Sequence, residues 1–145
     1  MLDIARFGDP KNPISLSVVA DRTGISHGYL EQLAPALRSA GLVRSIAGRL
    51  GGYQLARPAA EITIRQIIEA SIGPICVVDC VEAPDTCLRA EFCECRVVYS
   101  LINQRIAEVL DDFTLADLLD PSWTRSMGGG SGLQPATAVE RPPGD

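Results

Sequence analysis

Five cysteines crowd between positions 76 and 95, in the order Cys76-x3-Cys80-x6-Cys87-x5-Cys93-x-Cys95, and the 145-residue chain has no others. Thiolates at this density hold zinc, hold an iron–sulfur cluster, or react as redox-active thiols. An odd number cannot pair completely as disulfides, so ligation or thiol chemistry ranks ahead of a covalent framework. Zinc is usually signalled by paired C-x2-4-C knuckles, and only Cys76 and Cys80 offer one. Gaps of five or six residues instead give a loop able to wrap a cluster. Iron and sulfur are preferred on ligand type and spacing, with zinc and metal-free thiols as the alternatives. Whether such a cluster would be 2Fe–2S or 4Fe–4S is left open.

Catalysis has little to draw on. His27 is the lone histidine, and there is no convincing nucleophile–base pair, P-loop or dinucleotide fingerprint, so no enzyme is expected. No apolar run approaches the roughly 20 residues needed to cross a bilayer, and no charged leader followed by an apolar core opens the sequence. The expectation is a soluble, cytoplasmic protein without a membrane partner.

The elements ahead of the cysteines must position them. Met1 to Gly8 reads as a short apolar helix end, and Asp9-Pro10-Lys11-Asn12-Pro13 as a turn. A helix over Leu16 to Arg22 and a second opening at Ser26, with Gly24 between them, have the small residue, turn glycine and apolar contacts of a helix-turn-helix. Pro35 is expected to kink or restart the second helix before it ends at Gly41. Leu42 to Ile46 and Tyr53 to Ala56 read as strands around Ala47-Gly48-Arg49-Leu50-Gly51-Gly52, a glycine-rich wing.

Thr63 with Gln66 forms a capping-box pattern opening a helix to about Ser71, with Ile64, Ile67 and Ile68 as its buried face. Gly73-Pro74 ends it. Beyond the cysteines, Val98, Leu101, Ile102, Ile106, Val109, Leu110 and Phe113 mark an amphipathic helix from about Glu91 to Asp112. At about 30 Å it is longer than so small a domain can cover, which suggests a second copy in a two-fold dimer. The chain thus divides into a winged helix-turn-helix (1–73), a cysteine loop (74–95), a dimerisation helix with a short helical turn (91–119) and a disordered Gly/Ser/Pro tail (120–145). The fold class is mostly α with a small β-hairpin wing.

Charge sharpens the picture. The net charge is −5, which by itself disfavours a nucleic-acid partner. From Lys11 to Pro58, however, six basic residues face two acidic ones, a net of +4, whereas Ala59 onward carries six basic and 14 acidic residues, a net of −8. Positive charge sits on the proposed reading segment and the acidic remainder would face away from DNA.

Taken together, Ile14-Ser15-Leu16, Gly24-Ile25-Ser26, Tyr29-Leu30-Glu31-Gln32-Leu33, Ala40-Gly41-Leu42-Val43, Gly51-Gly52-Tyr53-Gln54-Leu55-Ala56-Arg57-Pro58 and Ile62-Thr63 occur in one order at compatible spacing over roughly residues 1 to 119. The chain resembles the IscR/NsrR-type family of bacterial winged-helix transcriptional regulators, many of which bind iron–sulfur clusters. The resemblance implies a homodimer on a double-stranded DNA operator, with the second helix in the major groove and the wing in the minor groove. Ser26, His27, Tyr29 and Gln32 take the reading role on the helix, and Arg49 and Gly51 take it at the wing. Arg38 and Arg44 would hold phosphates, in keeping with the chemistry of amide, hydroxyl and guanidinium contacts.

The resemblance also implies that Cys80, Cys87 and Cys93 are cluster ligands. The best-known member has a histidine shortly after its last cysteine, where this chain has Arg96. Cys95 is the obvious substitute, and a donor from the partner subunit, an exchangeable thiol or a water remain open. Cys76 is expected to pack near the domain junction. Family members also carry a longer lead-in ahead of the segment resembling Met1-Leu2-Asp3-Ile4-Ala5, so the first helix here is expected to be short. The competing classes are a thiol-regulated repressor without metal and a cluster-carrying electron-transfer protein, for which a wing has no purpose.

Overall fold

In the computed structural model, which describes residues 1–9, 12–87 and 92–122, polar caps and left-handed glycines punctuate the chain where the sequence places them. Helix α1 spans Leu2–Phe7, α2 Leu16–Thr23 and α3 His27–Ser39. The Ser15 and Ser26 hydroxyls accept from the N–H groups of Val18 and Tyr29, each at 3.3 Å, occupying amides that a helix start leaves open. Gly24, at φ +72°, turns α2 sharply into α3. Helix α3 closes with Gly41 at φ +67°. There the Gly41 and Leu42 N–H groups reach the carbonyls of Arg38 and Leu37 at 3.0 Å each, a Schellman arrangement.

Pro35 does not kink or restart the chain: α3 is one helix of 13 residues with the proline inside it. The carbonyl deprived of its amide partner belongs to Glu31, four residues back on an exposed residue, where water can take the donor's place. Before α2, Asp9 and Asn12 clasp each other through backbone bonds of 3.3 and 3.1 Å and a side-chain bond of 2.9 Å, closing the expected turn. Its Pro10 and Lys11 lie outside the described residues.

Strands β1 (Val43–Ile46) and β2 (Gly52–Leu55) pair antiparallel, with Val43 opposite Leu55 and Ile46 opposite Gly52. The Ile14 backbone bonds to Tyr53 in both directions, at 2.9 and 2.8 Å, and so pins the wing to the start of α2. The hairpin turns so tightly that a Cβ on Gly51 would collide with the carbonyls of Ile46 and Gly48.

Helix α4 (Ile64–Ile72) opens on the complete Thr63–Gln66 capping box. Its isoleucines were expected to be the buried face, yet no α4 residue is fully buried, because the helix lies between α3 and α6. The anchor is Ile62, just ahead of it, wholly inaccessible beside Leu42 and Leu115, with Ile67 and Ala70 packed against them. A second cluster joins Ile4, Ile14, Val19 and Val43.

The short α5 (Asp79–Glu82) and a 3-10 turn (Pro84–Thr86) precede α6 (Glu94–Asp111), an 18-residue helix about 27 Å long. It starts at Glu94 with Cys93 as its N-cap; Glu91 lies outside the described residues, as does the expected tail beyond Ser122. None of its residues is buried, and Val97, Val98, Leu101, Ile102 and Val109 are exposed. Helix α7 (Leu115–Leu119) then returns to the body, bridged at Thr63–Thr114. The Thr114 N–H and hydroxyl both donate to Asp117, at 2.8 and 2.7 Å.

Leu115 therefore nails the end of the long helix to the core. Leu115→Ala should lower the unfolding free energy by about 2–5 kcal/mol, a large part of the 5–15 kcal/mol such a domain is expected to have. Urea denaturation reads this, and a loss below about 1 kcal/mol would place Leu115 outside the cooperative core. The Thr114 bonds hold the Asp117 carboxyl below its ordinary range. Its contribution is thus present above the unfolded value, near pH 4, and is lost as pH falls through the lower folded value. Asp117→Asn should flatten the acid side of the stability–pH curve.

Candidate functional site

The outer face of α3 is built of residues the core does not use. Ser26, His27, Tyr29 and Gln32 are exposed, and Tyr29 keeps 49% of its surface. Ala34 is buried and Leu30 and Leu37 pack inward. The first turn of α3 consequently projects one hydroxyl, one imidazole, one phenol and one amide from a fixed axis. His27 Nδ1 lies 3.5 Å from Glu31 one turn on. Gly28 sits among them with open space where a side chain would be.

The wing stands beside this face. Arg49 and Leu50 are exposed at its tip, Leu50 at 87%, and Gly51 behind them is partly covered. A cleft of about 400 Å³ runs between the wing and the first two helices and presents Arg22 and Arg49. Arg22 is fixed by the Phe7 ring, 4.1 Å from its guanidinium, and by Asp3 at 3.5 Å. Arg38 and Arg44 are exposed to either side of the α3–β1 junction.

Sequence reasoning missed Gln54. It is 4% exposed on β2, directly across from Arg44. With its amide oriented so that the oxygen faces Arg44, it accepts from Nε at 2.8 Å and Nη2 at 3.2 Å, while its NH2 donates to the Asp9 carbonyl at 3.1 Å. A polar residue on the inward face of an alternating strand was the available signal. It fixes the direction of the Arg44 guanidinium.

The cysteines occupy both sides of residues 88–91. Cys80 lies on α5, Cys87 just past the 3-10 turn, Cys93 at the α6 N-cap and Cys95 in its first turn, all as free thiols. Cys87 and Cys95 are exposed, and Cys80 and Cys93 partly covered. Two positions apart on a helix means about 200° of rotation, so Cys93 and Cys95 face different directions. Among the described residues no three Cys, His, Asp or Glu side chains are grouped closely enough to hold a metal. The donor chemistry of Cys80, Cys87 and Cys93 suits iron and sulfide; their positions would need the loop to close.

Cys76 stands apart. Its thiol donates to the Val78 carbonyl at 2.9 Å and accepts from the Asn103 amide of α6 at 3.2 Å. It packs at the junction between loop and long helix. At the other end of α6, Asp111 accepts from Arg65 at 2.9 Å and from the Thr63 hydroxyl at 3.2 Å, and Arg65 also meets Glu69 at 2.8 Å. The Arg65 pKa is raised by these partners, Glu69 first and then Asp111.

Residues 1–121 match the Rrf2 family, described as iron-dependent transcriptional regulators. The chain belongs to the Rrf2 family. It is 38% identical over 119 residues to Protein rrf2 of Nitratidesulfovibrio vulgaris, across 82% of this chain and 79% of that protein. Among solved structures it is similar to IscR of T. potens (34% identity, TM-score 0.63, 92% and 84% of the two chains). It is also similar to CymR, the global cysteine regulator of B. subtilis (37%, TM-score 0.63, 81% and 85%). This Rrf2 protein is accordingly a transcriptional regulator that binds DNA through a winged helix, not an enzyme. No helix among its described residues is long and apolar enough to cross a membrane.

Exposure orders the thiols. In native protein, maleimide should label Cys87 and Cys95 faster than Cys76, whose sulfur is engaged on two sides. Peptide-resolved mass spectrometry checks the order, and labelling Cys76 first would contradict this placement.

Proposed function

We propose that this Rrf2 protein is a cytoplasmic homodimeric regulator that reads a pseudo-palindromic operator and changes its grip on DNA through chemistry at Cys80, Cys87 and Cys93. The observation that carries the reading is the continuity of one path. Free thiols lead into α6, and Asp111 at the far end of α6 grips Arg65 and Thr63 beside the reading head. Ser26, His27, Tyr29 and Gln32 would meet the major groove, Arg49 the minor groove, and Arg38 and Arg44 the phosphates. Gly51 would let the wing backbone come close. The exposed stripe from Val97 to Val109 supports a second copy as its cover, giving two heads on one duplex face.

Cys80, Cys87 and Cys93 would hold an iron–sulfur cluster, whose loss or change of redox state alters the charge and order of their loop. The iron dependence in the family description and the similarity to IscR support this. The fourth donor is left to Cys95, to the partner copy or to an exchangeable group. A metal-free thiol switch is the second reading. It is favoured by the separation of the thiols among the described residues and by the similarity to CymR.

Anaerobic purification followed by an absorption spectrum and iron and sulfide analysis separates the two. Visible absorption with stoichiometric iron and sulfide is expected; colourless, iron-poor protein after attempted reconstitution would leave the thiol switch. On DNA, Gln32→Ala should cost about 1–3 kcal/mol on the cognate operator and relax base preference. Arg38→Ala should weaken all duplexes alike and reduce the salt slope by about one. Equal binding of cognate and scrambled duplexes by the unaltered protein would contradict the reading head.

A further inference from the structure

We propose that Asn103 is the positioning residue through which the cysteine loop acts on the dimer helix, an inference that rests on the cysteine-controlled reading above. Asparagine gains little from a helix interior, where its amide competes for local backbone bonds. Here the amide spans to the loop instead. Its oxygen accepts from the Val77 N–H at 3.0 Å and its NH2 donates to the Cys76 sulfur at 3.2 Å. Cys76 in turn donates to the Val78 carbonyl at 2.9 Å. Three consecutive loop residues are thus stitched to the middle of α6 by one partly buried side chain.

Position makes the stitch consequential. Residues 76–78 immediately precede α5, which carries Cys80. A pull on Cys80, by a cluster or by a new bond to its sulfur, reaches Val77 within three residues. Asn103 adjoins Ile102 and Leu101 of the exposed apolar stripe, and eight residues further on Asp111 grips Arg65 and Thr63. The contact therefore joins the thiol segment to the element that must register the second copy and orient the reading head. Cys76, engaged on both sides of its sulfur, serves as part of this link and not as a ligand.

The test compares operator affinity in two states of the full-length dimer, cysteine segment intact and cysteine segment altered. The altered state is reached by cluster removal if iron is present, or by peroxide if it is not. The operator is one selected from a random duplex pool. In Asn103→Ala the ratio of the two affinities should shrink by about fivefold, the factor one net hydrogen bond carries, while affinity in the DNA-competent state and the thermal midpoint hold. Amide exchange at Val77 should accelerate. Asn103→Asp keeps the acceptor for Val77 but cannot donate to Cys76 as a carboxylate, and with Cys76→Ala it guards against a misfolded alanine variant; both should lose part of the ratio. An unchanged ratio in folded Asn103→Ala overturns the proposal while leaving the sensor reading intact. A ratio of one in the unaltered protein overturns the sensor reading first and this link with it.

Discussion

Asp111 accepts two hydrogen bonds from the helix that follows the wing, and what the long helix can do depends on that hold. Without it α6 would be a rod hinged on a short loop; with it, and with Leu115 sunk beside Ile62 and Leu42, the helix leaves the body in one direction. A charge pair with each side chain 38–45% exposed is worth little in stability by itself. Its weight here is geometric, because Thr63 and Arg65 grip one carboxylate from two sides while the buried leucine fixes the next residue but three. The stripe of Val97, Val98, Leu101, Ile102 and Val109 is left facing outward as a consequence.

Electrostatics divides the same way. An acidic chain can bind a polyanion if its positive charge is gathered on the contact face, since solvent and salt screen the remainder beyond roughly 8–10 Å. Arg22, Arg38, Arg44 and Arg49 gather on the head and wing. Two of them are aimed by neighbours, Arg22 by Phe7 and Asp3, and Arg44 by Gln54. Aiming lowers the entropy that a free guanidinium would lose on meeting phosphate.

The head was legible because its signals are local. Ser26 and Thr63 cap where hydroxyls precede helices, Gly24 and Gly41 take positive φ, and the glycine wing forms a hairpin with its strands within a residue of their expected bounds. Pro35 misled because a proline's cost depends on whether its orphaned carbonyl can reach water, which sequence does not display. The site was half legible. Residue types marked the reading face and the thiols, but Gln54, Asn103 and Asp111 act across 10, 26 and 48 positions of chain, and no periodicity announces such pairs. The cysteine spacing gave chemistry without convergence, since bringing Cys80, Cys87 and Cys93 together is a property of the loop's closed form.

The account is tested most directly by titrating a selected operator with the unaltered protein and with the Cys80→Ser, Cys87→Ser, Cys93→Ser triple variant, before and after the cysteine segment is altered. Two affinities from the unaltered protein and a single one from the variant are predicted. If both proteins bind equally tightly under every condition, the thiols have no say in DNA binding and the central claim is wrong.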